Sequence, residues 1–130
     1  GIGAVAAGLA GAARVEAAEI DAFALAAIRL NAALNDVTVH LSQGDVVAGP
    51  DGGWDVVLAG DVCYERPMAE LIFPWLRRLA SRGAHVILAD PGRAYLPKTG
   101  LMRLASYPIP TSLDLEDREM REGVIYRIVG

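Results

Sequence analysis

Apolar residues along this chain follow two spacings, one typical of strands and one typical of helices. The runs 55–60 and 84–89 are short, almost wholly apolar and bounded by turn-prone residues, as in strands buried on both faces. In 22–34, apolar residues recur every three or four positions after an aspartate suited to capping, as in an amphipathic helix. The pattern predicts helices at 1–12, 22–34, 67–81 and 98–106, and strands at 13–19, 37–41, 55–60, 84–89, 111–116 and 123–129.

The order of these elements predicts an α/β fold. Helices alternate with strands over most of the chain, which is typical of a parallel sheet covered by helices on both faces. The last two strands flank a charged, turn-like segment, so we expect them to form an antiparallel pair, and we expect one domain over residues 1–130. The predicted apolar faces are Phe23, Ala27, Leu30 and Leu34 in the second helix, and Leu71, Ile72, Trp75, Leu76 and Leu79 in the third.

Composition and charge argue against several classes of protein. The chain has 130 residues, of which 53% are hydrophobic and 22% charged, so it is long and apolar enough to form a globular core. A net charge of −4 provides no basic excess for phosphates, so nucleic acid is not an expected partner. No apolar run reaches the length of a membrane span, and no Cys/His cluster has metal-ligand spacing. We therefore expect neither a membrane partner nor a metal site.

Polar residues appear abruptly after the apolar run 55–60. Asp61, Tyr64 and Glu65 follow it directly, at what would be the carboxyl end of a parallel strand, where ligands of open α/β sheets bind. They indicate a functional site; alternatively, Asp61 caps the next helix and Tyr64 only packs. Cys63 lies among them as the single cysteine, which precludes an intrachain disulfide and suits a reducing, cytoplasmic location. We expect it to be a small buried hydrophobe.

Glycine and acidic residues occupy the corresponding positions elsewhere in the predicted sheet. Gly1 and Gly3 precede a helix, where glycine lets a ligand approach the backbone closely. Glu19, at the end of the first strand, suits the hydroxyl groups of a ribose, and Asp45, after the second, suits an exocyclic amine such as that of adenine. Each has a structural alternative: a chance G-x-G, a helix cap (for which Asp21 is better suited than Glu19) and a turn aspartate.

Three runs of sequence carry a specific resemblance. The first, VEAAEIDAFALAAIRLNAALNDVTVHLSQGD, resembles the region after the glycine-rich loop of seven-strand S-adenosylmethionine-dependent methyltransferases. The second, GDVCYE, resembles the Asp-x-x-Tyr motif of the lysine methyltransferase group. The third, ADPGRAYLPKTGLMRLASYPIPTSLDLED, resembles the electron-transfer-flavoprotein β-subunit lysine methyltransferases and their bacterial relatives, also described as nicotinamide N-methyltransferase-like or ribosomal-protein methyltransferase-like. The resemblance implies a Rossmann-like sheet, mostly parallel with a C-terminal antiparallel hairpin.

The resemblance implies S-adenosyl-L-methionine as the cofactor and a role for each residue of its site. Gly1 and Gly3 match the later glycines of the loop that passes the methionine part of the cofactor. Glu19 matches the acidic residue that holds the ribose, and Ile20 would touch the adenine face. Asp45 matches the acidic residue near the adenine amine.

The implied activity is methylation of a lysine in a protein substrate, such as an electron transfer flavoprotein β subunit or a ribosomal protein. Asp61, which would also lie beside the cofactor, would receive the incoming amine, and Tyr64 would line its channel. The alternatives are N-methylation of a small-molecule amine and a non-catalytic remnant kept for its surface. The family's first strand precedes the loop that Gly1 matches and has no counterpart here. We therefore expect a fragment of a longer protein or, alternatively, a degenerate domain.

Overall fold

The computed structural model describes residues 1–110 and 120–129, which form two compact units, 1–50 (unit 1) and 51–130 (unit 2). In chain order the described elements are α1 (Ile2–Leu9), β1 (Glu16–Glu19), α2 (Ala22–Leu34), β2 (His40–Gln43), β3 (Val56–Gly60), α3 (Arg66–Ser81), β4 (His85–Asp90), β5 (Leu101–Pro110) and β6 (Met120–Ile128). The predicted α/β fold is confirmed, with parallel strand pairs early in the chain and an antiparallel pair at its end. The prediction of a single domain over 1–130 stays a prediction.

Unit 1 combines two helices with one parallel pair of strands. β1 and β2 run side by side from the pair Glu16–His40 to the pair Glu19–Gln43. β2 begins three residues later than predicted, because the N–H of Val37 still donates to the carbonyl of Ala32 in the turn that ends α2. The buried residues of this unit are Val5, Val15, Leu25, Ile28 and Ala32.

The second helix has the predicted bounds but buries a different face. The carboxylate of Asp21 accepts a hydrogen bond from the N–H of Phe23, so the predicted cap is confirmed. The predicted apolar face is wrong, since Phe23, Ala27, Leu30 and Leu34 are all exposed. The helix is apolar on more than one side, so its periodicity alone does not identify the side that packs.

Unit 2 is built on a four-stranded sheet in the order β3-β4-β6-β5. β3 and β4 are parallel, whereas β6 is antiparallel to both of its neighbours, β4 and β5. Because β5 is an edge strand, Pro108 and Pro110 are tolerated there despite lacking an N–H for the ladder. The carboxyl ends of β3 and β4 therefore lie next to each other at one end of this sheet.

The helix predicted at 98–106 is wrong, because residues 101–106 belong to strand β5 and residues 98–100 precede it as bends. Leu101, Leu104 and Ala105 have helical spacing, but the register shifts between Arg103 and Ala105, and this irregularity accommodates Leu104 within an extended strand. Pairing with β6 over the whole length of β5 outweighs the local preference. The strand predicted at 111–116 lies outside the described residues, and the strand predicted at 123–129 is confirmed as part of β6.

The helix α3 packs against β4 and β6 and supplies much of the core of unit 2. Trp75, Leu76 and Leu79 are buried as predicted, but Leu71 is exposed and Phe73 is buried in its place. Trp54 packs edge-on against Trp75, with ring centroids 6.1 Å apart. No helix in the described part of the chain is both long and apolar enough to cross a membrane.

Candidate active site

The chain leaves strand β3 through a residue in an unusual conformation. Asp61 has φ 50°, in the left-handed region that few residues other than glycine adopt and that aspartate tolerates better than most. Its N–H donates to the carbonyl of Ala89 at 2.9 Å, which extends the parallel ladder with β4 by one more bond. The backbone of Asp61 is therefore fixed at the carboxyl end of two adjacent parallel strands.

The side chain of Asp61 forms a two-pronged ion pair with Arg93. Nε of Arg93 donates to Oδ1 at 2.9 Å and Nη2 donates to Oδ2 at 2.8 Å. These two hydrogen bonds hold the pKa of the Asp61 carboxyl below its ordinary value, and the positive charge of Arg121 on β6 lowers it further. Both partners are partly exposed, with 37% of the Arg93 and 47% of the Asp61 side chain accessible. The pair is thus fixed in geometry and still reachable from solvent.

A buried aspartate at the end of β4 shapes the turn that carries Arg93. Oδ2 of Asp90 accepts hydrogen bonds from the N–H groups of Gly92 and Arg93, both at 2.8 Å. Gly92 has φ +94°, a conformation that favours glycine. Asp90 is only 2% exposed, and its Oδ1 has no hydrogen-bond partner among the described residues. Asp90 thereby holds the backbone from which the guanidinium of Arg93 reaches Asp61.

Cys63 lies in the same region and is fully buried. Desolvation, and then the negative charges of Asp90 and Asp61, raise the pKa of its thiol to about 11. The thiol is therefore protonated near neutral pH. The expectation of a small buried hydrophobe is confirmed.

Asp61 does not cap the helix that follows the site. α3 begins at Arg66 with Glu65 at its N-cap, and no side chain makes a capping hydrogen bond there. The alternative in which Asp61 caps this helix is therefore wrong, because its carboxylate pairs with Arg93 instead. Tyr64 is half exposed, and the guanidinium of Arg66 lies 5.5 Å from the centre of the Tyr95 ring. Tyr64 and Arg66 thus follow Asp61 within five residues, and both are exposed to solvent.

In unit 1, three predicted residues lie at the carboxyl ends of the parallel strands β1 and β2. Glu19 is the last residue of β1 and pairs in register with Gln43, two positions before Asp45. Oε1 of Glu19 accepts a hydrogen bond from the N–H of Asp21 at 3.2 Å, and Oδ1 of Asp45 accepts one from the N–H of Val47 at 3.0 Å. Ile20 is 74% exposed directly after Glu19. The structure brings these three predicted residues to one end of the strand pair.

The two predicted glycines differ in their surroundings at the start of α1. A Cβ at Gly1 would lie 2.8 Å from Cγ1 of Ile28, so packing against α2 accounts for this glycine. A Cβ at Gly3 would meet nothing within 4 Å. The open space beside Gly3 agrees with a backbone that a ligand can approach, and the roles of both glycines stay predictions.

Sequence reasoning missed Arg93 and Asp90, although both lie in a run used for the family resemblance. The signal was available: Asp90 ends a strand that neighbours β3 in a parallel sheet, so its loop had to lie beside Asp61. The contact itself joins residues 32 positions apart and has no local signature. In the described part of the chain, no three His, Cys, Asp or Glu side chains are grouped so as to hold a metal ion.

No family model matches the chain, but curated relatives do. The electron transfer flavoprotein β-subunit lysine methyltransferase of Danio rerio is 32% identical over 133 aligned positions, covering 98% of this chain and 52% of the relative. The protein of the same description from Xenopus laevis is 33% identical, covering 97% and 54%. The chain thus spans about half the length of the curated relatives it matches.

Solved structures show the same fold at low sequence identity. A proposed tRNA methyltransferase of Streptococcus pneumoniae superposes with a TM-score of 0.61 at 14% identity, covering 97% of this chain and 58% of that one. The N-methyltransferase NodS of Bradyrhizobium japonicum, solved with S-adenosyl-L-homocysteine, superposes with a TM-score of 0.53 at 11% identity, covering 88% and 66%. At these identities the likeness shows the fold alone, which is the Rossmann-like fold of methyltransferases.

Proposed function

Since the chain is a homologue of the electron transfer flavoprotein β-subunit lysine methyltransferases and has a methyltransferase fold, we propose that it is part of an S-adenosylmethionine-dependent protein lysine methyltransferase. The proposed substrate is an electron transfer flavoprotein β subunit. The observation that carries the proposal within this chain is the fixed, solvent-reachable carboxylate of Asp61 at the joint carboxyl ends of β3 and β4. We also propose a cytoplasmic location, and the single cysteine of this chain supports a reducing compartment.

The residues of unit 1 fit the nucleoside end of the proposed cofactor. A carboxylate has about four acceptor sites, so Glu19 can accept from a ribose diol while it also accepts the N–H of Asp21. The exposed Ile20 offers an apolar surface to a purine ring, and Asp45 on the adjacent strand end offers an acceptor for its amine. S-adenosylmethionine, when bound, supplies a methyl group activated by its sulfonium.

In unit 2, Asp61 is proposed to orient the acceptor amine and Tyr64 to line its path. A carboxylate held by two hydrogen bonds and by its backbone N–H loses little freedom when it receives an amine, so the amine is held in one orientation. The half-exposed Tyr64 presents an apolar ring to the methylene chain of a lysine. Positioning of this kind is the main demand on the protein, since the methyl group arrives already activated.

Mass spectrometry tests this proposal with two matched aspartates. The full-length protein is incubated with purified electron transfer flavoprotein β subunit and S-adenosylmethionine carrying a deuterated methyl group, and labelled lysines are sought. Asp61→Ala should abolish labelling, whereas Asp51→Ala should retain it, because Asp51 forms a similar two-pronged pair with Arg82 outside the site. Asp51→Ala should still bind S-adenosylhomocysteine, and Asp61→Ala should keep part of this binding, because Asp61 is also expected to lie beside the cofactor.

Two outcomes contradict the proposal in different ways. Full labelling by Asp61→Ala would remove the assigned role of Asp61 and leave the activity standing. Absence of a labelled lysine with the unmodified protein, or methylation of small amines alone, would overturn the protein-lysine assignment.

A further inference from the structure

The Asp61 carboxylate is paired before any substrate arrives. Each of its oxygens accepts an N–H of Arg93, and Arg93 is held in turn because its backbone N–H donates to the buried Asp90. A carboxylate whose only task was to attract a cationic lysine would be better left unpaired. The structure instead places a permanent cation against it, on a turn fixed by two hydrogen bonds to Asp90.

Charge at this point affects the chemistry of the acceptor. A free lysine side chain has a pKa of about 10.4, and an opposite charge within about 4–6 Å favours its ammonium form further. An ammonium has no lone pair and cannot take a methyl group. An unpaired carboxylate would therefore bind the acceptor tightly in its unreactive state.

Among the described residues, the charged and titratable groups around Asp61 come from its own loop, from the end of β4 with the loop that follows, and from β6. Arg93 approaches from the loop after β4, Arg121 acts from β6, Asp90 ends β4, and Cys63 follows Asp61 in its own loop. The Cys63 thiol is uncharged in the neutral range because its pKa is about 11. Among the described residues around Asp61, the formal charges of the two aspartates and the two arginines cancel, so these groups do not form an anionic site for an ammonium.

We propose that Arg93 is a positioning residue that acts through Asp61, neutralising this carboxylate so that the acceptor lysine is held as a neutral amine. This inference rests on the proposed function. The lysine first gives one proton to water; its nitrogen lone pair then forms the bond to the methyl carbon, the carbon–sulfur bond breaks, and its electron pair remains on sulfur. The methylated nitrogen, now positively charged, can release a further proton to water. Asp61 keeps acceptor capacity for the N–H of the amine, since each carboxylate oxygen has two lone pairs.

The pH dependence of kcat in the full-length protein tests this inference. The assay uses purified electron transfer flavoprotein β subunit and radiolabelled S-adenosylmethionine, with Arg93→Gln compared with the unmodified protein. The kcat should rise with pH in both, and in Arg93→Gln the midpoint should move upward by about one pH unit. Methylation near neutral pH should then fall about tenfold and approach the unmodified rate at high pH, while KM for the protein substrate should not rise.

Two further variants separate charge from structure. Arg93→Lys keeps the charge but not the two-pronged geometry, so it should bring the midpoint back towards that of the unmodified protein. Arg82→Gln removes a similar arginine, paired with Asp51 away from the site, and should leave the midpoint in place. Retained binding of S-adenosylhomocysteine identifies folded variants.

The outcomes distinguish this inference from the function on which it rests. If Arg93→Gln lowers kcat by one factor at every pH, or leaves the profile unmoved, the charge role of Arg93 is overturned while the methyltransferase assignment stands. If the unmodified protein methylates no lysine at any pH, the proposed function fails and the role of Arg93 fails with it.

Discussion

At the scale of single residues, the candidate site contains two carboxyl groups and one thiol that differ in burial and in hydrogen bonding. Asp61 is ion-paired and reachable, Asp90 is buried and structural, and Cys63 is buried and protonated. The burial of each group, and not its intrinsic reactivity, decides its role. The sulfur of Cys63, the most nucleophilic atom in the stretch, is thereby protonated and shielded from solvent near neutral pH.

The thiol of Cys63 should resist modification in the folded protein. At pH 7.5, Ellman's reagent should react with it slowly or not at all, because the sulfur is fully buried and its pKa of about 11 leaves almost no thiolate. In guanidinium chloride the same thiol should react at the rate of an ordinary cysteine. Rapid reaction of the native protein, measured spectrophotometrically, would contradict both the burial and the raised pKa.

The same burial has a consequence for stability at alkaline pH. The folded pKa of Cys63 lies above its ordinary value of 9.0, so the folded state holds this proton more tightly than the unfolded state does. Its contribution to the free energy of unfolding is therefore complete below about pH 9 and is lost as the pH rises towards 11. Cys63→Ala should flatten this part of the pH profile of urea unfolding.

The sequence predicts the positions of Asp61 and Cys63 but not the ion pair that Asp61 forms, and the difference has a physical reason. Asp61 and Cys63 were recognised because a polar segment directly follows an apolar strand, which is a local signal. The pairing of Asp61 with Arg93 was not recognised, because it depends on which strands are neighbours in the sheet. Local patterns predict where a site residue lies along the chain, whereas its partners follow from the topology.

At the scale of elements, the sequence predicts the ends of the helix α2 better than the side of it that is buried. α2 begins and ends where predicted, since Asp21 caps it and apolar spacing runs through it. Its packed side was predicted wrongly because several sides are apolar. The helix predicted at 98–106 is wrong for another reason: its apolar residues have helical spacing, but residues 101–106 pair with β6 as part of a strand. Helix and strand preferences are weak compared with the pairing and packing that surround them.

Two leucines of α2 provide a matched test of its packing. Leu25 is buried and Leu30 is 67% exposed, in the same helix and with the same side chain. Leu25→Ala should lower the free energy of unfolding by about 2–5 kcal/mol, because it leaves a cavity. Leu30→Ala should change it by no more than about 0.5 kcal/mol. Denaturant unfolding of both variants, in the same buffer, measures the difference; equal losses would contradict the observed face.

At the scale of the whole molecule, the two units carry different parts of the proposed chemistry. Glu19, Ile20 and Asp45, the residues proposed to bind the nucleoside, belong to unit 1, and Asp61 with Arg93, proposed for the acceptor, belongs to unit 2. The chain corresponds to about half the length of its curated relatives. Activity should therefore be measured with the full-length protein.

Binding of S-adenosylhomocysteine should be detectable as thermal stabilisation of the full-length protein. A ligand at 100 times its dissociation constant stabilises a folded protein by about 2.7 kcal/mol. Glu19→Ala should reduce the shift strongly, because it removes the proposed ribose acceptor, whereas Asp61→Ala should retain a larger part of it. Differential scanning fluorimetry with and without ligand measures the effect. A complete absence of shift in the unmodified protein would favour the non-catalytic remnant.

The two edge strands of the unit 2 sheet, β3 and β5, differ in whether a further strand can pair with them. β5 carries two prolines and an irregularity, which obstruct further pairing. β3 carries neither; no described strand pairs with its outer side, and Val56 and Leu58 are more than half exposed. A preparation that contains only these 130 residues should therefore dimerise at high concentration, with the β3 strands of two copies pairing edge to edge. The variant Leu58→Lys should keep such a preparation monomeric, because a charged side chain on an edge strand opposes pairing with a second copy.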